Sequence, residues 1–122
     1  MQGGGTEVLL VEDDECLRDT LAEILRHDGY SVTVAESAEE GLEKLTSGHF
    51  GLVLTDYELP IATGAWMLRE AVAAGLLADT GVLVITGHRN PAGTEGWKVL
   101  HKPLEHDTFL REVALAVTGA HS

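Results

Sequence analysis

Short apolar runs that are rich in β-branched residues alternate along this chain with segments of helical periodicity. The five runs comprise residues 7–11, 31–35, 51–55, 81–86 and 97–101. Runs of this length are typical of strands that are buried on both faces, and they are too short for the helices of a bundle. Strands that are joined by crossover helices run parallel, with helices on both faces of the sheet. The alternation therefore predicts an α/β fold with a doubly wound, five-stranded parallel sheet.

Apolar residues between most of the runs recur at helical spacing. The predicted first helix has the stripe Leu17, Leu21, Ile24 and Leu25, and the last helix has the stripe Phe109, Leu110, Val113 and Val117. The second helix begins with Ser37 and Glu40, which fit a capping box, and the third spans residues 65–75. Residues 87–96 are rich in glycine and proline and show no helical face. We therefore expect the fourth helix to be short or missing.

The charge balance narrows the range of partners. The 122 residues fit one domain, and 8 Lys and Arg stand against 20 Asp and Glu, for a formal net charge of −12. Such a surface repels nucleic acids and anionic membranes and suits cations or a basic protein patch. With a lone Cys16 and no signal peptide, we expect a cytoplasmic protein. We expect a flexible N-terminal segment at residues 1–5, one domain at 6–119 and a C-terminal tail at 120–122.

Polar residues lie at the carboxyl ends of the predicted strands. The first strand is followed by Glu12, Asp13 and Asp14, the third by Asp56, the fourth ends in Thr86 and the fifth is followed by Lys102. The carboxyl ends of parallel strands share one edge of the sheet, and ligands bind outside that edge, where the strand order reverses. We therefore expect these side chains to gather at one site.

This set of side chains suits phosphoryl transfer. Three carboxylates close together, Glu12, Asp13 and Asp56, repel one another strongly, and a bound divalent cation relieves that repulsion. Oxygen ligands without a thiolate fit Mg²⁺ better than zinc. A carboxylate beside the metal can attack a phosphoryl group and form an aspartyl phosphate. The Lys102 ammonium and the Thr86 hydroxyl can then offset the charge that develops.

Each of these residues also has a purely structural interpretation. Asp13 or Asp14 can cap the first helix, and Asp56 can be a turn residue. Thr86 can be an ordinary strand end, and Lys102 can be a solvated surface lysine. The chemical interpretation is favoured because all of the structural ones would have to hold at once.

Four motifs resemble the receiver domain of bacterial two-component response regulators. They are residues 8–15 (VLLVEDDE), residues 52–60 (LVLTDYELP) with Gly64, residues 84–87 (VITG) and the pair Lys102-Pro103. The resemblance extends from about Glu7 to Val117 and implies a flavodoxin-like sheet with strand order 2-1-3-4-5. It also implies a signalling domain rather than an enzyme, one that takes its phosphoryl group from a histidine kinase or a histidine phosphotransfer protein.

The resemblance implies roles for the acidic residues that match the family pattern. Asp56 corresponds to the phosphoacceptor, and Glu12 and Asp13 correspond to the acidic pair that helps to hold Mg²⁺. The backbone carbonyl of Glu58 corresponds to a further metal ligand. The resemblance thus implies a magnesium site next to the phosphorylated aspartate.

The resemblance also implies roles for residues after the fourth and fifth strands. Thr86 corresponds to the hydroxyl residue that turns toward the phosphoryl group, and Lys102 to the lysine that contacts it. Gly87 corresponds to the small residue that leaves the phosphoryl group accessible. The peptide bond between Lys102 and Pro103 is expected to be cis, as in many such domains.

Two features depart from the family pattern. Val99 stands three residues before Lys102, where family members usually carry Tyr or Phe, and the connection from Thr86 to Lys102 is short for a helix with two loops. We therefore expect an altered output surface. Residues 99–104 are similar to receivers that are attached to hybrid sensor kinases.

Two other functions are compatible with these residues. The first is a Mg²⁺-dependent phosphohydrolase that works through an aspartyl phosphate, with Glu58 as the acid or base two residues after the nucleophile. The second is an interaction module that keeps the fold and is never phosphorylated, which Val99 and the short connection favour slightly. Turnover of small phosphate esters would reveal the first, and a chain that accepts no phosphate would favour the second.

Overall fold

Five parallel strands form one sheet in the computed structural model, which describes residues 4–119 and the side chains of residues 4–117. The strands are β1 (Glu7–Val11), β2 (Ser31–Ala35), β3 (Leu52–Asp56), β4 (Gly81–Thr86) and β5 (Lys98–His101). Their order is β2-β1-β3-β4-β5, and each neighbouring pair is parallel. The predicted fold class and strand order are confirmed.

Four helices accompany the sheet over the described residues. They are α1 (Glu15–His27), α2 (Ala38–Ser47), α3 (Gly64–Ala73) and α4 (His106–Gly119). No described residue between β4 and β5 is helical. The expected loss of the fourth crossover helix is therefore confirmed, and α4 is the helix that follows β5.

Side-chain caps determine where the first two helices begin. The Asp14 carboxylate accepts a hydrogen bond from the Leu17 N–H at 3.1 Å, so this residue does have the capping role that its position allows. At α2 the Ser37 hydroxyl accepts from the Glu40 N–H at 3.1 Å, as a capping box requires. The Glu40 carboxylate, however, accepts from the N–H of Glu36 at 2.7 Å, one residue earlier than the capping box predicts.

Two apolar layers cover the two faces of the sheet. Successive residues of a strand point to opposite faces, so Val8 and Leu10 belong to one layer and Leu9 and Val11 to the other. The first layer is completed by residues of α1 and α4, among them Leu21, Leu25, Phe109 and Val113. The second is completed by residues of α2 and α3, among them Ala38, Leu45, Met67 and Leu68. The central strands are thus held rigidly, with their carboxyl ends at one edge.

The chain ends lie partly outside the described region. The expected flexible segment at 1–5 includes residues 1–3, and the expected tail comprises residues 120–122; both of these ranges lie outside the described residues. The Gly5 N–H donates to the Gly29 carbonyl at 2.8 Å. Over residues 4–119, none of the helices combines the length and the apolar character needed to cross a bilayer.

Candidate functional site

Three carboxylates meet at the carboxyl edge of the sheet. β1 and β3 are neighbours, with Val11 paired to Thr55, so the next residues along the two strands, Glu12 and Asp56, come side by side. One carboxylate oxygen each from Glu12, Asp13 and Asp56 lies within 4.8 Å of the others. Glu12 and Asp56 are only 1% and 3% exposed, whereas Asp13 is exposed to solvent. The predicted gathering of these acids at one edge is observed.

Two buried oxygens of this cluster lack a hydrogen-bond partner among the described residues. They are Oε1 of Glu12 and Oδ1 of Asp56. The other Glu12 oxygen, Oε2, accepts from the Asp14 N–H at 3.1 Å. Buried polar atoms are nearly always paired, so two unpaired carboxylate oxygens beside an exposed third carboxylate need an explanation. Their chemistry fits a hard divalent cation, which accepts carboxylate oxygens and keeps water on its open side.

Burial changes the ionisation of the two inner carboxyl groups. Burial raises the pKa of Glu12 to about 7; the hydrogen bond from Asp14 opposes that rise and the charge of Asp56 adds to it. Burial also raises the pKa of Asp56, although the Lys102 ammonium opposes that shift. The pair therefore tends to keep a proton when no cation is bound, and a cation has to displace it.

Lys102 brings a positive charge to the cluster from the end of β5. Its Nζ lies 3.3 Å from Oδ2 of Asp56 and 4.0 Å from Oε1 of Glu12. Its backbone N–H donates to the Thr86 carbonyl at 2.8 Å, and the bond to Pro103 is cis. Partial burial lowers the pKa of Lys102, but Asp56 and Glu12 more than compensate, so the pKa lies above its usual value. The side chain is therefore an ammonium group at neutral pH.

Thr86 lies at the same edge, but its hydroxyl contacts Glu58. The hydroxyl lies 3.0 Å and 3.2 Å from the two carboxylate oxygens of Glu58, and the Gly87 N–H donates to Oε1 of Glu58 at 3.0 Å. The Thr86 oxygen in turn accepts from the His88 N–H at 2.9 Å. Burial raises the pKa of Glu58, but the hydrogen bonds from Gly87 and Thr86 outweigh that effect and hold it below the usual value. Glu58 is thus ionised and accepts the hydrogen bonds of both donors.

Gly64 allows the segment after Asp56 to fold tightly beneath the site. Its N–H donates to the Tyr57 carbonyl at 3.0 Å. A Cβ atom at this position would overlap the backbone oxygen of Asp56 and crowd the Thr55 side chain. Only glycine fits here, which explains its place in the motif that follows the third strand.

The structure brings together most, but not all, of the predicted site. Glu12, Asp13, Asp56 and Lys102 form one cluster, while the Thr86 hydroxyl is bonded to Glu58 instead of to that cluster. The metal role of the Glu58 carbonyl stays a prediction, as does the role of Gly87 in phosphoryl access.

Sequence reasoning did not find Arg18, whose Nη1 donates to the Glu12 carbonyl at 3.1 Å and lies 3.9 Å from the Glu36 carboxylate. This contact orients the acidic turn after β1. A basic residue one turn into α1 was the only available signal, and it is a weak one, because exposed helix positions often carry Arg for other reasons.

Comparison with known proteins gives a consistent picture. The family model described as response regulator receiver domain matches residues 8–114. The chain is 30% identical over 114 residues to the transcriptional regulatory protein DltR of Streptococcus agalactiae, a match that covers 88% of this chain and 50% of DltR. The chain thus spans about half the length of the curated relative it matches.

Solved structures show the same fold. A CheY-like response regulator receiver domain protein from Methanospirillum hungatei has 25% identity and a TM-score of 0.87, with 96% of this chain and 97% of that chain covered. The receiver domain of the hybrid histidine kinase CckA has 29% identity and a TM-score of 0.79, with 91% and 98% covered. The fold of this chain therefore has close structural counterparts among receiver domains.

Proposed function

Because this chain belongs to the response regulator receiver domain family of two-component systems, we propose that Asp56 accepts a phosphoryl group from a phosphohistidine. The donor would be a histidine kinase or a histidine phosphotransfer protein. The observation that carries this proposal is the position of Asp56. It is buried at the end of β3, with Oδ2 at 3.3 Å from the Lys102 ammonium and Oδ1 unpaired beside Glu12 and Asp13 among the described residues.

The donor set supports a role for Mg²⁺. Glu12, Asp13 and Asp56 are the side chains that would hold the ion, since one oxygen of each lies within 4.8 Å of the others, and Oε1 of Glu12 and Oδ1 of Asp56 lack a hydrogen-bond partner in the described part of the chain. When bound, the ion supplies positive charge that offsets the charge on the phosphoryl oxygens. Asp13, which is exposed, keeps the cluster open toward solvent and an incoming donor.

The residues of this chain support an in-line transfer. A bond forms between an oxygen of ionised Asp56 and phosphorus, while the bond from phosphorus to the imidazole nitrogen of the donor breaks. That nitrogen keeps the electron pair, and the ring leaves as neutral imidazole because its other nitrogen carries a proton. The Lys102 ammonium, 3.3 Å from Asp56, favours the ionised carboxylate and offsets the charge that develops on the phosphoryl oxygens. The acyl phosphate is later hydrolysed by water or passed on.

The setting of the domain is part of the proposal. We propose that residues 6–119 serve as the receiver of a cytoplasmic phosphorelay. The net charge of −12 argues against direct contact with nucleic acid or an anionic membrane, and it favours a protein partner with basic side chains at its docking surface.

Phosphorylation by a small donor tests the proposal. The protein is incubated with acetyl phosphate and Mg²⁺, and its intact mass is measured. We expect the mass of one added phosphate, no addition in Asp56→Asn, and an unchanged yield in the control Asp79→Asn, which removes an exposed carboxylate elsewhere. Equal phosphorylation of wild type and Asp56→Asn would rule out the assignment, and an unmodified wild type would favour the non-phosphorylated interaction module.

A further inference from the structure

The Glu58 carboxylate accepts hydrogen bonds from two donors at the end of β4, the Thr86 hydroxyl and the N–H of the next residue, Gly87. The Thr86 hydroxyl lies 3.0 Å from Oε2, and the Gly87 N–H donates to Oε1 at 3.0 Å, so each carboxylate oxygen has a donor of its own. Because Asp56 is paired with Ile85 in the sheet, these donors come directly after the residue that lies beside Asp56. They therefore lie at the same edge of the sheet as the Asp56 carboxylate, which would carry the phosphoryl group.

Each of these donors can serve only one strong acceptor at a time. A hydroxyl has one proton and a backbone N–H has one proton. The Thr86 oxygen also accepts from the His88 N–H at 2.9 Å, which holds the hydroxyl in place with its proton directed toward Glu58. A phosphoryl group on Asp56 that bonded to these donors would compete for the same two protons, and its negative charge would repel the Glu58 carboxylate. Binding of Glu58 and binding of a phosphoryl group at these donors are mutually exclusive.

We infer that the Glu58 carboxylate is an internal competitor of the phosphoryl group: in the unphosphorylated chain it holds the Thr86 hydroxyl and the Gly87 N–H, and it must release both before they can bind phosphoryl oxygens. Glu58 is therefore a positioning residue, which sets how readily the phosphorylated state forms and which way Thr86 points before it does. The inference rests on the proposed function only in naming a phosphoryl group as the competitor. The contacts of Glu58 with Thr86 and Gly87 are present in the unphosphorylated structure and do not depend on that function.

The first measurement uses the unmodified protein and does not depend on phosphorylation. In ¹H–¹⁵N spectra without Mg²⁺, the Gly87 amide proton should resonate at low field, because it donates to a carboxylate. Glu58→Ala should move it upfield and speed its exchange with water, and Glu58→Gln should do so partly. Glu95→Gln, which removes the same charge at an exposed position in the neighbouring connection, should leave it unchanged. An unmoved Gly87 signal in both Glu58 variants would overturn the inference.

The second measurement uses beryllofluoride with Mg²⁺ as a phosphoryl mimic. Glu58→Ala and Glu58→Gln should bind it about tenfold more tightly than wild type does, which corresponds to about 1.4 kcal/mol. Glu95→Gln should change the affinity less than about twofold, within the range of a distant screened charge. In a Thr86→Ala background the gain from Glu58→Gln should shrink, because one of the two contested donors is gone.

The two claims fail differently. If wild type binds beryllofluoride and the Glu58 variants bind it equally well or more weakly, the inference is wrong and the proposed function stands. If neither wild type nor any variant binds beryllofluoride while the Gly87 signal behaves as expected, the proposed function is wrong. The competition between Glu58 and a phosphoryl group is then wrong as well. Well-dispersed spectra of each variant show that it is folded, and the two Glu58 variants check each other.

Discussion

The two sides of the sheet are built differently. β1 and β3 are almost fully buried and are covered by helices on both faces; β1 is followed by Glu12, and β3 ends in Asp56. β4 and β5 are joined by a connection without a helix over the described residues, and β5 is half-exposed at the sheet edge. The acidic cluster thus lies at the ends of the well-covered strands, which matches the family pattern, whereas both departures from that pattern, Val99 and the connection without a helix, lie on the β4–β5 side.

Turns and one aromatic side chain cover the β4–β5 side in place of a helix. The Thr94 hydroxyl donates to the Pro91 carbonyl at 2.8 Å, and the Trp97 N–H donates to the Thr94 carbonyl at 3.1 Å. Gly93 and Gly96 have φ values of 80° and 94°, which suit glycine. Trp97 packs against the layer formed with α3. The connection is folded, but it lacks the rigid element that a helix would supply.

Glycine substitutions on the two sides give the largest expected contrast. Gly64→Ala should lower the free energy of unfolding by about 2–4 kcal/mol, because the new Cβ meets the backbone of Asp56, which cannot move aside cheaply. Gly96→Ala should cost only about 1 kcal/mol, from the positive φ alone, since a Cβ there meets open space. Urea denaturation measures both. Equal losses would mean that the acidic edge is no more rigid than the connection.

The acidic edge should also make stability depend on pH. The pKa of Glu12 is about 7 in the folded chain, above its value of 4.5 in the unfolded chain, so the folded state binds more protons between these values. As far as Glu12 contributes, the free energy of unfolding of the metal-free protein should therefore be highest below about pH 4.5. It should fall by about 1–3 kcal/mol as the pH rises through 7. Denaturation in EDTA at pH 5 and pH 7.5 measures the change. Glu12→Gln should flatten it, whereas Glu95→Gln in the connection should not; a rise in stability over this range would contradict the account.

Mg²⁺ should stabilise the acidic side at neutral pH. An ion that binds only the folded chain raises its stability by about 1.4 kcal/mol at ten times the dissociation constant. Thermal melts at pH 7.5 with and without millimolar Mg²⁺ should differ by a few degrees, and Asp13→Ala should remove most of the difference. The effect should weaken at pH 6, where Mg²⁺ competes with the proton held by the Glu12–Asp56 pair. Identical melts of the wild type would argue strongly against a metal site.

The smallest expected effect is the change in amide exchange along β5 when a phosphoryl mimic binds. Val99 has a short, stiff side chain and cannot alternate between an exposed and a buried position as Tyr or Phe can. With beryllofluoride bound, amide exchange should change in residues 87–96 or in α1, and change little at residues 97–101. A large protection change confined to 97–101, with the connection and α1 silent, would show that β5 carries the signal despite Val99.

The sequence predicts the bounds of the strands better than it predicts the side-chain contacts of the site. β1, β2 and β4 agree with the prediction to the residue, because polar or glycine residues bound their apolar runs. β3 is displaced by one residue, since Asp56 itself pairs with Ile85. The acidic cluster follows from strand order alone.

The bond between Glu58 and Thr86 could not be predicted in this way. It joins residues 28 apart in sequence, and it depends on where the turn after β3 places one flexible side chain. The Arg18 contact with the Glu12 carbonyl is similar, because it depends on the rotamer of a long side chain. Patterns of burial reveal strands and their ends, but not which of several polar groups at one edge pair with each other.

The most direct test of the central claim is to locate the phosphate. Protein treated with acetyl phosphate and Mg²⁺ is reduced with borohydride, which converts an aspartyl phosphate to homoserine, and its peptides are then sequenced by mass spectrometry. The account predicts a single converted residue, Asp56, at the end of β3. Conversion at Asp13 or at another acid, with Asp56 intact, would contradict it.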